Sequence, residues 1–299
     1  MVSGQTAGAA LRQAQAALTP LTPDAAFEAA ELVCKVLGIT KNQLYLSRQT
    51  VLSAGQQRRL KSLLQKRRQG TPLQYLMGSW SFYNVELQVG PGVLIPRADT
   101  EILVQQLLQK AAGLQNPVVV DYCAGSGAIA IAAAANLPGA QIFAVEKSKR
   151  AYRYLCKNIL QNGVQVQPVL NDALLWRPPQ GLLANLVVSN PPYIPKGDLA
   201  TLAPEVQKEP KMALNGGADG LYFYRRLVKN AAAVLAGGGW LLFEVGIFQA
   251  PAVQRLLQKA GYRNVFVQKD FNNIDRVVGG QWPGPLQPPV KNQAKGLNY

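Results

Sequence analysis

Four consecutive residues, Asn190-Pro191-Pro192-Tyr193, leave the apolar run "NLVVS" and are suited to chemistry on a planar nitrogen. Such a nitrogen is a poor nucleophile because its lone pair is delocalised. If the Asn190 side-chain oxygen and the Pro191 carbonyl accept its two N–H groups, the nitrogen is held in place and electron density shifts toward it. Pro191 and Pro192 fix the backbone and add no competing donor, while Tyr193 offers a flat face to a planar substrate. A plainer reading is a proline turn that ends a buried strand. Glutamine amides, adenine amino groups and guanine amino groups all have the required shape. The motif alone therefore points to a planar nitrogen and no further.

The methyl donor is read from neighbouring segments. Strand ends in an open α/β sheet are where ligands sit. In order they carry Asp121-Tyr-Cys123-Ala124-Gly125-Ser126-Gly127, then Glu146, then Asp172, then Asn190. The first is a strand turning into a helix through small residues, which lets backbone and helix N-terminal N–H groups approach a ligand. Its spacing differs from the G-x-G-x-x-G of dinucleotide sites, and Asp121 inside it can orient the loop or meet an ammonium group. Glu146 can take two ribose hydroxyls through one carboxylate, an acid also shared with NAD sites. Asp172 can accept from an adenine amino group while the Ala173 amide donates to the ring. Each acid alone reads as an ordinary turn residue. Together, at successive strand ends, they point to S-adenosylmethionine.

Composition agrees with base-free chemistry. The 299 residues include no histidine, which excludes imidazole triads and histidine-bound metals. A methylated amide nitrogen is acidic enough to lose its proton to water, so no general base is required. Three widely spaced cysteines, Cys34, Cys123 and Cys156, make neither a disulfide framework nor a zinc pattern. The net charge of +15 favours an acidic partner or serves solubility alone. The first seventeen residues lack a signal-peptide pattern, and no run approaches the ~18 apolar residues of a membrane span. A cytoplasmic, monomeric enzyme is the expectation.

The elements that must position these residues change in character near Gly78. Before it the signals are helical. Thr22-Pro23-Asp24 reads as a cap followed by a helix over Ala25–Leu37, stopped by Gly38, and a second helix runs from about Ser53 to Gln69. The second carries Arg58, Arg59, Lys61, Lys66, Arg67 and Arg68 with no acid between them, either a solvated face or a docking surface. From Ser79 to Pro96 the short alternating segments "SFYNVELQVG" and "PGVLIP" suit a hairpin linking two domains. Beyond it strands ("PVVVDYCA", "QIFAVE", "VQVQPVL", "NLVVSN", "GWLLFEVG", "YRNVFVQKD", "RVVGGQW") alternate with helices near residues 128–136, 150–161, 222–235 and 249–260. That alternation predicts a mostly parallel sheet covered on both faces. The stretch 283–299 has little to bury and reads as a disordered tail.

From about Pro23 to Gly280 the chain closely resembles the peptide chain release factor glutamine methyltransferases, the HemK/PrmC family. The resemblance is carried by "GTPLQYLMG", "VLIPRADTE", "DYCAGSGAIAI", the Asn-Pro-Pro-Tyr motif, "EPKMALNGGADGLYFYRRLV", "LLFEVGIFQ" and "DRVVGG". It implies an α/β fold: a Rossmann-like seven-stranded S-adenosylmethionine-dependent methyltransferase domain over residues 97–282. A small all-α domain (1–78) that recognises substrate and a linking β-hairpin (79–96) would precede it. The implied substrate is the glutamine of the Gly-Gly-Gln loop of release factors, gripped by Asn190 and Pro191 with Pro192 and Tyr193 beside it. Arg97, Thr100 and Glu101 would lie close to cofactor or substrate. Cys123 stands where the family usually has glycine, so the loop is expected to avoid positive φ there. Ala124 replaces a common threonine, and Glu146 a more usual aspartate. The chain's own Gly279-Gly280-Gln281, at a predicted strand end, reads as coincidence. The alternatives are an amino methyltransferase acting on nucleic acid, a non-catalytic module that keeps the fold, and a glutamine methyltransferase acting on a ribosomal protein. Nucleic acid is not the expected substrate, and no membrane is expected as a partner.

Overall fold

A computed structural model describes residues 4–284; most of the expected tail lies outside the described residues. The first part is helical: α1 (Ala7–Leu18), α2 (Ala25–Leu37), α3 (Lys41–Leu46), α4 (Ala54–Arg68) and α5 (Leu73–Met77). They share one core of small and aliphatic side chains, among them Ala10, Ala14, Leu18, Leu32, Val33 and Leu60. Helix α1 buries a face made mostly of alanine, with Leu18 at its end. Helix α2 starts one residue after Asp24, and the Thr22 hydroxyl caps only the Asp24 N–H. Helix α4 begins in a capping box in which Ser53 and Gln56 satisfy each other's backbone N–H groups.

The basic helix α4 divides its charges. Arg67 is buried and donates to both oxygens of buried Glu28, at 2.6 and 2.9 Å. It also pairs at 2.7 Å with Glu205, from the far side of the sequence. A planar guanidinium suits such bidentate pairing, and breaking a buried pair typically costs about 3–5 kcal/mol. Arg58, Arg59, Lys61, Lys66 and Arg68 are exposed.

A two-stranded hairpin follows, β1 (Ser79–Phe82) and β2 (Val85–Gln88). The hairpin expected over 79–96 is present; its strands occupy Ser79–Gln88, and "PGVLIP" is not a strand. Tyr83 and Asn84 turn the chain with positive φ, as a two-residue hairpin requires. The backbone of the second segment is satisfied by side chains instead: the Tyr75 hydroxyl donates to the Val93 carbonyl, and the Ile95 N–H donates to Glu209.

The remaining elements are α6 (Thr100–Ala111), β3 (Val118–Tyr122), α7 (Ala128–Asn136), β4 (Gln141–Glu146), α8 (Lys149–Asn162), β5 (Gln167–Leu170) and β6 (Ala184–Ser189). The short α9 (Lys211–Leu214), then α10 (Tyr222–Ala232), β7 (Leu235–Glu244), α11 (Ala250–Lys259), β8 (Arg263–Lys269) and β9 (Asp275–Gln281) complete the fold. The seven strands lie in the order β5-β4-β3-β6-β7-β9-β8, with β9 alone antiparallel to its neighbours. Apolar clusters cover both faces, which is why β3, β6 and β7 read as nearly continuous hydrophobic runs. Helix α6 fills one face with Leu103, Val104 and Leu107. The chain winds outward from β3 to β5 and then returns to β6. The crevice between β3 and β6 is thus the switch point at which such sheets bind ligands.

Candidate active site

The ends of four neighbouring strands form one row. Tyr122 of β3 is level with Val145 of β4 and Ser189 of β6, and Ser189 is level with Phe243 of β7. The next residue on each strand is therefore at the same edge: Glu146, Cys123, Asn190 and Glu244. The row is tied laterally, since the Ser189 hydroxyl donates to the Tyr122 carbonyl at 2.6 Å.

Beside this edge lies a pocket holding about 980 Å³ of space, part of it open to solvent. Its wall brings together Cys123, Ala124, Gly125, Ser126, Glu146, Asp172, Ala173, Asn190, Pro192, Arg97 and Thr100. Asp121, Gly127, Pro191, Tyr193 and Glu101 are not on that wall. Glu101 instead accepts the Tyr83 N–H and so ties α6 to the hairpin turn.

Asp121 is fully buried within β3, before the strand ends. One of its oxygens accepts the Ala130 N–H of α7 at 3.2 Å, and the other has no partner among the described residues. Burial pushes its pKa well up, opposed by the Ala130 hydrogen bond. Its contact is with the helix that follows the loop. Cys123 adopts φ +64°, so the loop does not avoid positive φ at this position. Two constraints override the steric preference: the Ala124 N–H must reach the Val145 carbonyl, and the Gly125 N–H must reach Glu146. Left-handed backbone outside glycine costs about 1–2 kcal/mol. Enclosure, then the nearby Glu146, pushes the Cys123 thiol pKa up, which keeps it neutral.

The acids on the wall have protein partners. Glu146 accepts the Gly125 N–H at 2.8 Å and the Ser148 N–H at 2.6 Å. Burial raises its pKa against those two bonds. Asp172 is pushed up by burial, but the Lys147 ammonium at 2.8 Å and the Leu174 N–H hold its carboxyl below the usual range. Each carboxylate oxygen retains lone pairs after one such bond. Two carboxylates with free lone pairs, a loop of small residues and an apolar wall of Leu94, Ile129 and Phe223 fit S-adenosylmethionine. Glu146 suits its hydroxyls, and Asp172 with Ala173 suits its ring.

The acceptor segment is held by different means. Asn190 donates from Nδ2 to the Thr100 hydroxyl at 3.2 Å, and Thr100 donates to buried Glu244 at 2.6 Å. Burial pushes the Glu244 carboxyl up to about 7, opposed by Thr100 and Arg276. The Gln249 amide grips the Tyr193 carbonyl at 2.8 Å. Ile194 bridges Asn215, and a Cβ at Gly216 would lie 2.7 Å from the Tyr193 Cα. The "LNGGADG" stretch is therefore a mould pressed against this backbone. Tyr193 lines a second pocket of about 550 Å³, with Ile194, Gly246 and Arg276. Arg97 pairs with buried Glu209 of "EPKM". Sequence reasoning passed over Glu244, Gln249 and Glu209 as individual groups. Glu244 carried a readable signal, an acid ending an apolar strand, the same signal that marks Glu146.

Comparison with known proteins fits this arrangement. Residues 9–78 match the PrmC N-terminal domain and residues 97–218 the Methyltransferase small domain. The release factor glutamine methyltransferase of Thermodesulfovibrio yellowstonii is 40% identical over 255 residues, covering 84% of this chain and 90% of that protein. That of Geobacter sulfurreducens is 40% identical over 259 residues, covering 86% and 90%. This chain belongs to the release factor glutamine methyltransferase family. Membership makes it an S-adenosylmethionine-dependent enzyme, in line with the residues on the pocket wall. A solved methyltransferase from Pyrococcus furiosus, 15% identical with a TM-score of 0.50 over 69% of this chain and 92% of that one, shares the fold. No helix among the described residues is long and apolar enough to cross a membrane.

Proposed function

We propose that this enzyme methylates the side-chain amide nitrogen of the glutamine in the Gly-Gly-Gln loop of peptide chain release factors, in the cytoplasm and as a single chain. The observation that carries the reading is the placement of Asn190. It shares a pocket wall with Glu146, Cys123 and Asp172, while its own segment continues through Tyr193 into a second, open pocket. A substrate loop entering from that second side would meet the cofactor at Asn190.

The Asn190 side-chain oxygen and the Pro191 carbonyl accept the two N–H groups of the substrate amide and hold its plane. S-adenosylmethionine supplies a methyl group on a cationic sulfur. The two prolines keep the segment rigid and donate nothing that would compete. Glu244 is not on the pocket wall, and the chain has no histidine, so the amide proton leaves to water after methylation. Asp121 supports the loop through α7, and Glu146, Asp172 and the backbone of residues 123–127 bind the cofactor. Tyr193 packs beside the entering loop.

The test is transfer of radiolabelled methyl groups to purified release factor, to its Gln-to-Ala loop variant, and to DNA and RNA. Label is expected on the release factor and lost in the variant. Label on nucleic acid instead would overturn the substrate assignment.

A further inference from the structure

The Asn190 amide has two nearly isosteric orientations, and only one suits its role. Turned one way it offers an oxygen to a substrate N–H; turned the other it offers a second donor and repels it. Prolines fix the backbone but say nothing about this rotation. Something on the protein side must choose.

Thr100 makes that choice possible. Its hydroxyl has a single proton, and that proton is committed to Glu244 Oε2 at 2.6 Å. The Thr100 oxygen can then only accept from Asn190, so the Nδ2 side of the amide must face it, as seen at 3.2 Å. No group among the described residues donates to Asn190 Oδ1, which leaves that oxygen for a ligand. Glu244 is the anchor. It stands level with Asn190 on the adjacent strand, is only 1% exposed, and its second oxygen lies 3.5 Å from the Tyr193 hydroxyl. One carboxylate thus reaches both flanks of the acceptor segment.

We propose that Thr100 and Glu244 are positioning residues: the relay Glu244–Thr100–Asn190 locks the Asn190 amide with its oxygen toward the substrate. This rests on the reading of Asn190 given above. The relay needs Glu244 as an acceptor. Once protonated, Glu244 would donate to Thr100, free the Thr100 proton to point at Asn190, and favour the flipped amide. Several groups face Glu244: Arg276 from β9, Arg97 and Asp99 ahead of α6, Tyr193 from the acceptor segment, and Tyr224 from α10 through the Glu244 backbone carbonyl. Burial places the carboxyl near neutrality, so the orientation is sensitive to pH in the working range.

The experiment uses the full-length enzyme, S-adenosylmethionine and intact release factor. Thr100→Val keeps the shape and removes the hydroxyl. It should lower kcat about ten- to a hundredfold while cofactor affinity changes by about twofold or less. Thr100→Ser should recover most of the loss. Glu244→Gln removes the titrating carboxylate and should flatten the rise of kcat with pH through neutrality. The double variant should be no worse than the poorer single, as expected of residues in one chain. A wild-type kcat in Thr100→Val, a Thr100→Ser variant no better than valine, or losses that multiply would each overturn the relay. A second readout does not depend on the substrate. The 15N side-chain amide signal of Asn190, assigned by its absence in Asn190→Asp, should shift in both Thr100→Val and Glu244→Gln. An unmoved signal overturns the relay even if the wild-type enzyme labels release factor. Failure of the wild type to label release factor, with the signal still shifting, removes the substrate reading and leaves the relay standing.

Discussion

The two sides of the pocket are built from opposite materials. On the cofactor side, contacts local in sequence or from the adjacent strand do most of the work: the Ala124, Gly125 and Gly127 N–H groups donate to Val145, Glu146 and Ala124, and Glu146 also accepts from Ser148. On the acceptor side, side chains from distant parts of the sequence converge on four residues. Thr100 comes from α6, Glu244 from β7, Gln249 from the start of α11, and the glycine mould from residues 216–220. The difference follows from the ligands. A cofactor that is the same in every turnover can be met by local backbone geometry. A poor nucleophile must be held in one orientation, and that takes a rigid frame braced from several directions.

This comparison can be broken by exchanging which property each side controls. Asn190→Ala should reduce methyl transfer about a thousandfold while leaving cofactor binding largely intact, because it removes an acceptor that matters for the substrate. A fall in cofactor affinity as large as that of Asp172→Ala would move Asn190 to the cofactor side. Gly216→Ala touches no ligand, yet its Cβ would press on the Tyr193 backbone at 2.7 Å. Transfer should drop about ten- to a hundredfold with cofactor affinity unchanged. Normal turnover in this variant would mean the mould is slack.

Glu146→Ala is the counterpart on the other side. It should weaken S-adenosylmethionine binding about tenfold or more, as titration calorimetry would measure, with a smaller change in kcat at saturation. An effect confined to kcat would contradict the division of labour. Cys123→Gly is the mildest test. Relief of about 1–2 kcal/mol of left-handed strain is partly offset by about 0.5–1 kcal/mol of added chain entropy. A small gain in stability, read from denaturant unfolding, is expected. Destabilisation would show that thiol packing outweighs the strain.

Much of the cofactor side was legible because it is local. The small residues after "PVVVDY" and the acids ending successive strands occur in runs whose spacing encodes their geometry. Asp121 holds the start of α7 through the Ala130 N–H, in keeping with an acid that orients the loop. One detail there was not legible. Cys123 takes positive φ because hydrogen bonds from the next two residues outweigh its own preference. Helix α1, whose buried face is mostly alanine, was not among the expected helices. The stretch 79–96 was legible as a hairpin, but its second half is not strand: the backbone at 93 and 95 is met by Tyr75 and Glu209.

By itself the sequence determined the alternation of strand and helix, the identity of the loop and strand-end acids, and an Asn-Pro-Pro-Tyr segment fit for a planar nitrogen. These are short-range properties, set by periodicity, proline and glycine chemistry, and residue type. Only the tertiary structure decided that Glu244 stands level with Asn190, that Thr100 lies between them, and that Arg67 reaches both Glu28 and Glu205. Those pairings join residues 54, 90, 144, 39 and 138 positions apart in the chain. Sheet register and helix packing create such neighbours, and no pattern within one segment records them.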